Sequence, residues 1–221
     1  MKGDSNPVAT ELFGIQRALV RANFVWIVAY VVVTTAPYVY LDIYAPEQDA
    51  LLGLLGFVGW GLGYLLFVKL MKAGGHLKSG MRSGIGTYFV LGFAIGMFVG
   101  LALIVLIVPG LYLLMRWLPA YSRALVSDDG VGNSMRWAWR MTEPIQRSLV
   151  VAMIGPVACF AASVGMSVVY ITNYEWFDWT SFTLASIFWN GALAVSMSWL
   201  IVLGVAVFEF VSEQPDDSIV E

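Results

Sequence analysis

The chain has 221 residues, of which 59% are hydrophobic and only 12% charged, with a formal charge of −3 and a mean hydropathy of +0.78. Polar surface this scarce cannot cover a water-soluble globule, whose charged fraction is about a quarter. The composition therefore excludes that class and points to an all-α polytopic membrane bundle. One cysteine excludes an intrachain disulfide framework and a cysteine metal cluster. The single histidine, His76, lies in a glycine-rich inner loop, and neither a histidine-based metal site nor a histidine-dependent triad is expected.

The N-terminus opens with "SNPVATELFGIQRALVRANF". Val8, Leu12, Ile15 and Leu19 recur at helical spacing, and Asn6-Pro7 suits a cap followed by a first helical residue. An amphipathic helix over 7–20 lying in the membrane plane is expected, and no cleaved signal peptide, because the first long apolar run begins only near Phe24.

A span requires about 20 apolar residues. Segments at about 22–41, 50–70, 148–170 and 182–209 meet that length, and a further apolar tract runs from Thr87 to Val126. As one helix this tract would be about 60 Å long, twice the hydrocarbon thickness. It must reverse, and Pro109-Gly110 is its strong turn signal. Spans at 87–108 and 111–126 follow, making six in a single membrane domain covering 1–221.

Charge supports that count. With both termini cytoplasmic, the inner segments carry Lys2, Arg17, Arg21, Lys69, Lys72, Lys78, Arg82, Arg123, Arg136, Arg140 and Arg147, and the outer loops carry Asp42, Glu47, Asp49, Glu175 and Asp178. This is the positive-inside pattern. The outer rim is also rich in Tyr and Trp, read either as an interfacial belt or as a docking surface.

In the third span Gly92, Gly96 and Gly100 share one face, and Gly59 and Gly63 repeat the spacing in the second. Such faces allow close helix approach, expected chiefly within the chain, although a second copy or another membrane protein would be served equally. After the fourth span a helix over 133–143 carries Arg136, Arg140, Glu143 and, beyond its end, Arg147 on one stripe, with Met135, Ala138, Trp139 and Thr142 opposite. Its apolar face is expected among acyl chains and its arginines among anionic headgroups, at about 1 kcal/mol per basic residue. The tail over 212–221 is short, acidic and expected to be disordered.

No nucleotide-binding loop, metal cluster or carboxylate pair lies in a span, so neither catalytic residues nor a cofactor are expected, and no nucleic-acid partner. The polar residues left inside the spans are Arg116, Asn190 and Glu209. Arg116 stands about 9 Å from the Pro-Gly pair on helical rise, where it either snorkels to headgroups or faces the bundle and binds a carbonyl, a phosphate or an anionic lipid. Asn190 is expected to bridge helices. Glu209 is expected at the cytoplasmic interface, with Arg123 or an N-terminal arginine as partner.

The stretch "VPGLYLLMRWLPAYSRALVSDDGVGNSMRWAWRMT" resembles the signature of a group of uncharacterised bacterial six-span membrane proteins. That group is related to the membrane domain attached to some glycerophosphoryl diester phosphodiesterases. Pro109, Gly110, Tyr112, Arg116 and Pro119 match the first half of the pattern, and the helix around Ser134–Thr142 with Trp139 matches the second. Ala138 departs from a usual serine and Glu143-Pro144 from a usual glycine ending. The phosphodiesterase catalytic domain has no counterpart, so the resemblance implies an architecture and no activity. The expected function is structural, accessory or lipid-interacting and non-enzymatic, with membrane lipids as partners; the alternative is a small transporter or lipid translocator with Arg116 in a polar path.

Overall fold

The structure, a computed structural model, describes residues 7–77, 84–127 and 129–213. Among them it is all-helical: α1 Pro7–Tyr44, α2 Asp49–Ala73, α3 Ile85–Val105, α4 Ile107–Trp117, α5 Ala120–Val126, α6 Gly130–Thr142, α7 Gln146–Thr172 and α8 Trp179–Ser212, with a short 3-10 turn at Tyr174–Trp176. α1, α2, α3, α7 and α8 are each long and apolar enough to cross a bilayer, which makes this a multi-pass membrane protein. The chain divides into two compact units: Asn23–Leu66 with Ile154–Ile201, and Met1–Ala22 with Phe67–Met153 and Val202–Glu221. The acidic tail from 214 onward, with Asn6, Lys78 and Arg82, lies outside the described residues.

The first of these units is built from the long parts of α1, α2, α7 and α8. Because lipid is as apolar as leucine, hydrogen bonds and close packing hold such helices together. Ser163 Oγ donates to Trp189 O at 2.7 Å and Ser196 Oγ to Pro156 O at 2.8 Å, both joining α7 to α8. Gly155 lets the Trp199 ring lie against the α7 backbone, where any Cβ would overlap the ring. Tyr40, Tyr44 and Trp179 stack at one place and Tyr170, Phe177, Phe182 and Trp189 at another.

The second unit holds α3 to α6. Here α3 and the α4–α5 pair run antiparallel: Tyr88 meets Tyr121 at 5.2 Å and Phe98 meets Trp117 at 6.1 Å between ring centroids. Its core is Leu91, Ile95, Val99, Ala120, Ala124 and Ala138. Gly84, at φ +79°, begins α3 so close to the Ala124 carbonyl that a Cβ would collide with it.

The reversal expected at Pro109-Gly110 occurs earlier. Leu106 alone is extended, at φ −155° and ψ 129°, and α4 begins at Ile107. Pro109 is then the third helical residue, where its missing N–H would lack an intrahelical partner anyway. Gly110 allows close approach: a Cβ there would strike Leu103 of α3. α4 and α5 together cover 107–126, interrupted at Leu118-Pro119, so neither alone has the length of a span.

Both amphipathic stretches form, but neither is free to lie on a membrane by its apolar face. The N-terminal one starts at Pro7 as expected and continues into the first span through a bend at Asn23, at φ −124° and ψ 20°. Its buried positions are Ala9, Leu12, Gln16 and Leu19, so Val8 and Ile15 fall at the edge of the packed face. The other is α6, whose buried face is Ser134, Ala138 and Thr142. These residues are too small to insert among acyl chains and instead let α6 sit close on the α3–α5 core.

The glycine stripe of α3 also departs from expectation. The helix buries Tyr88, Leu91, Ile95 and Val99, and a Cβ at Gly96 or Gly100 would meet nothing within 4 Å. Gly92 is half-buried. The larger apolar side chains win the core position because they remove more surface and fill more space. Gly63 in α2 does pack, against Ile201 and Tyr30, whereas Gly59 is open.

Candidate functional site

Arg116 is only 1% exposed, which removes the snorkelling alternative. Ten residues separate it from the turn at Leu106, about 15 Å on helical rise rather than the 9 Å expected from the Pro-Gly pair. Its guanidinium carbon lies 4.3 Å from the Trp139 ring centroid and 5.9 Å from that of Tyr112. Tyr112 is one helical turn away on α4, and Trp139 is delivered by α6. The two helices are also tied by Thr142, whose Oγ1 donates to Arg116 O at 3.3 Å and to Ala138 O at 2.7 Å. Stacking on a desolvated aromatic face contributes about 2 kcal/mol, yet it leaves the in-plane donors unused. Arg116 Nε and Nη1 are buried and have no hydrogen-bond partner among the described residues.

The outward side of α6 is basic. Arg136 and Arg140 are exposed and stand at i and i+4, a like-charge spacing that destabilises a helix slightly. Among the described residues neither has an ion-pair partner. Arg123 differs: its Nε and Nη2 donate to Asp129 Oδ2 at 2.9 and 2.5 Å, and its guanidinium lies 5.4 Å from the Trp137 ring. The hydrogen bond from Arg123, with a second from Ser127, holds the Asp129 carboxyl below its ordinary value of 3.8. Arg123, Asp129, Asn133, Arg136, Trp137, Trp139 and Arg140 together line a cleft of about 620 Å³. Trp139 thus has two roles, cover of Arg116 and wall of the cleft. Arg147, in the first turn of α7, is exposed and stands outside this lining.

The other expected site residues lie elsewhere. Asn190 bridges helices as expected: its Nδ2 donates to Asp42 Oδ2 at 2.8 Å and to Ser186 O at 3.1 Å. Ser186 Oγ donates to the same Asp42 oxygen at 2.6 Å. Asp42, expected in an outer loop, lies on a helix because α1 continues to Tyr44. Glu209 does not pair with Arg123 or an N-terminal arginine. Its Oε2 lies 3.8 Å from His76 Nε2, and the His76 ring packs edge-on against Phe208 at 5.3 Å.

Sequence reasoning found Arg116, Arg136 and Arg140 but missed Arg123, Asp129 and the pairing of Arg116 with Trp139. A Trp five residues before a Pro and one before an Arg carries no contact signal by itself. No group of metal-ligating residues assembles among the described residues. Comparison with family models, with characterised proteins and with solved structures finds no match.

Proposed function

We propose that this protein is a non-catalytic, multi-pass protein of a bacterial inner membrane that binds anionic lipid through the α5–α6 cleft. The observation that carries the reading is the pairing of Arg136 and Arg140, which have no ion-pair partner among the described residues, with Trp137 and Trp139 in one cleft lining. Arginine forks suit phosphate bidentately, and tryptophan suits the interface between headgroup and acyl chain. In this reading the protein has six spans and cytoplasmic termini, with α3 and α4–α5 as an antiparallel pair of spans. Entry and exit on one side keep Arg123, Arg136, Arg140 and Arg147 inside. Membership of the six-span group whose signature the chain resembles belongs to the same proposal.

Native mass spectrometry of the protein released from nanodiscs tests the lipid claim. Phosphatidylglycerol should remain bound in preference to phosphatidylcholine, and the Arg136→Gln/Arg140→Gln double variant should lose the preference. An unchanged preference in that variant removes the reading. For the topology, a cysteine at position 106 in a Cys159→Ser background should react with an impermeant thiol reagent from outside. Failure to react from outside replaces the sixth span with a hairpin ending within the bilayer. Transport along a path containing Arg116 has less support, because Trp139 covers Arg116 and Arg116 does not line the cleft.

A further inference from the structure

We infer that Arg116 is the inner half of a phosphate-binding site whose outer half is the α6 cleft, with Trp139 as the movable wall between them. The inference rests on the cleft reading and adds to it a second, buried contact for the phosphate and a gate.

The starting point is chemical. A guanidinium is charged at every physiological pH and presents five N–H donors in one plane. Burying it without partners is costly, and removing water from the group is only offset when its donors are used. Arg116 is buried almost completely, and the face of its guanidinium is taken by Trp139 at 4.3 Å. Stacking uses the face and leaves the edge. Nε and Nη1 are edge donors with no hydrogen-bond partner among the described residues; they belong to different edges of the group, so each is open to an acceptor oxygen of its own.

The position of Trp139 connects this fork to the outside. The ring that stacks on Arg116 also lines the cleft with Arg136 and Arg140. Trp139 is therefore stacked on one guanidinium and shares the lining of the cleft with two further arginines, Arg136 and Arg140. A change of the Trp139 rotamer gives up its ring contacts with Tyr112 and Trp117, at 5.9 and 6.2 Å, and joins the two compartments while Ala138 and Thr142 still hold α6 to the core. A phosphate drawn in by Arg136 and Arg140 then reaches the free edge of Arg116. The ligand class is a phosphate oxyanion, either a phospholipid headgroup or free phosphate.

The test uses the full chain in a neutral detergent, with dihexanoyl-phosphatidylglycerol, dihexanoyl-phosphatidylcholine and inorganic phosphate as separate probes. Binding of the phosphatidylglycerol should weaken about tenfold in Arg116→Gln, the worth of one charge-assisted contact, and less in Arg116→Lys, which keeps the charge on a single ammonium. If Arg136→Gln/Arg140→Gln weakens binding while Arg116→Gln binds as wild type, the inner site is overturned and the cleft reading stands. If neither variant weakens it, the cleft reading fails as well.

Labelling of native Arg116 with phenylglyoxal, read by mass spectrometry, keeps the test open should Arg116→Gln not fold. Arg116 should react slowly in the wild type and faster in Trp139→Ala, and the phosphate probe should protect it. Protection by phosphatidylglycerol alone assigns the site to a lipid headgroup, and equal protection by inorganic phosphate assigns it to the free ion. A Trp139→Ala protein in which Arg116 stays unreactive overturns the gate. One in which no probe protects it overturns the site.

Discussion

Each compact unit holds a charge-bearing side chain among its helices, Asp42 half-buried in one and Arg116 buried in the other, and the two are treated in opposite ways. In the unit formed by Asn23–Leu66 and Ile154–Ile201, Asp42 receives Ser186 Oγ and Asn190 Nδ2 on one oxygen, at 2.6 and 2.8 Å. In the other unit Arg116 is stacked upon yet has two donors left bare. A satisfied polar group in an apolar surround is a fastening between helices, and its removal is felt as instability. An unsatisfied one carries a desolvation cost that its stacking offsets only in part, and the ligand proposed above is its missing partner. Asp42 belongs to the first kind and Arg116 to the second.

The contrast can be broken most directly at Asp42. Asp42→Ala should cost about 1–3 kcal/mol, since it deletes two interhelical bonds and strands their donors; unfolding in a graded denaturing-detergent titration reads it. A cost near zero would move Asp42 out of the fastening class. Next in size is Arg116→Met, which replaces a partly unpaired buried cation by an apolar chain of similar reach. In delipidated protein it should melt no lower than wild type, with a gain of about 1 kcal/mol. A clear drop in melting temperature would mean that the guanidinium is satisfied in the folded state and that the two units do not differ.

Finer differences follow. Ser186→Ala removes one of the two donors to Asp42 and should cost about 0.6 kcal/mol, the usual worth of an interhelical hydrogen bond in a membrane. The smallest effect concerns the rim of the cleft, where Asp129 is held below its ordinary value of 3.8, chiefly by Arg123. A depressed folded value means that the stabilisation is fully present above the unfolded value and is lost as pH falls through the folded one. Any difference in melting between wild type and Asp129→Asn should therefore vanish in acid, below the Asp129 titration, and be constant near neutrality. A difference that grew on acidification would put the carboxyl's shift in the other direction.

Much of this molecule is legible along the chain. Pro7 opens α1, the arginines of α6 share a face, Asn190 bridges helices, and Arg116 stands out as the charge in an apolar tract. Other features were not, for reasons that lie in the helices themselves. α3 is apolar on every side, so periodicity cannot say which face is buried, and the glycine stripe was as reasonable a packing face as the leucine one. The turn at Leu106 leaves no mark, because an extended leucine in "IVLIV" has no sequence signature, while the visible Pro-Gly pair serves the start and close packing of the next helix.

Composition and charge order thus determined by themselves that the chain is helical and membrane-embedded, because hydrophobicity and helical spacing are properties of consecutive residues. Which polar groups are satisfied was decided only in three dimensions. Trp139 comes to Arg116 from another helix, and Ser186 and Asn190 come to Asp42 across more than a hundred residues. A hydrogen bond or a stacked ring depends on distances of a few ångströms, and such distances exist only once the helices have packed.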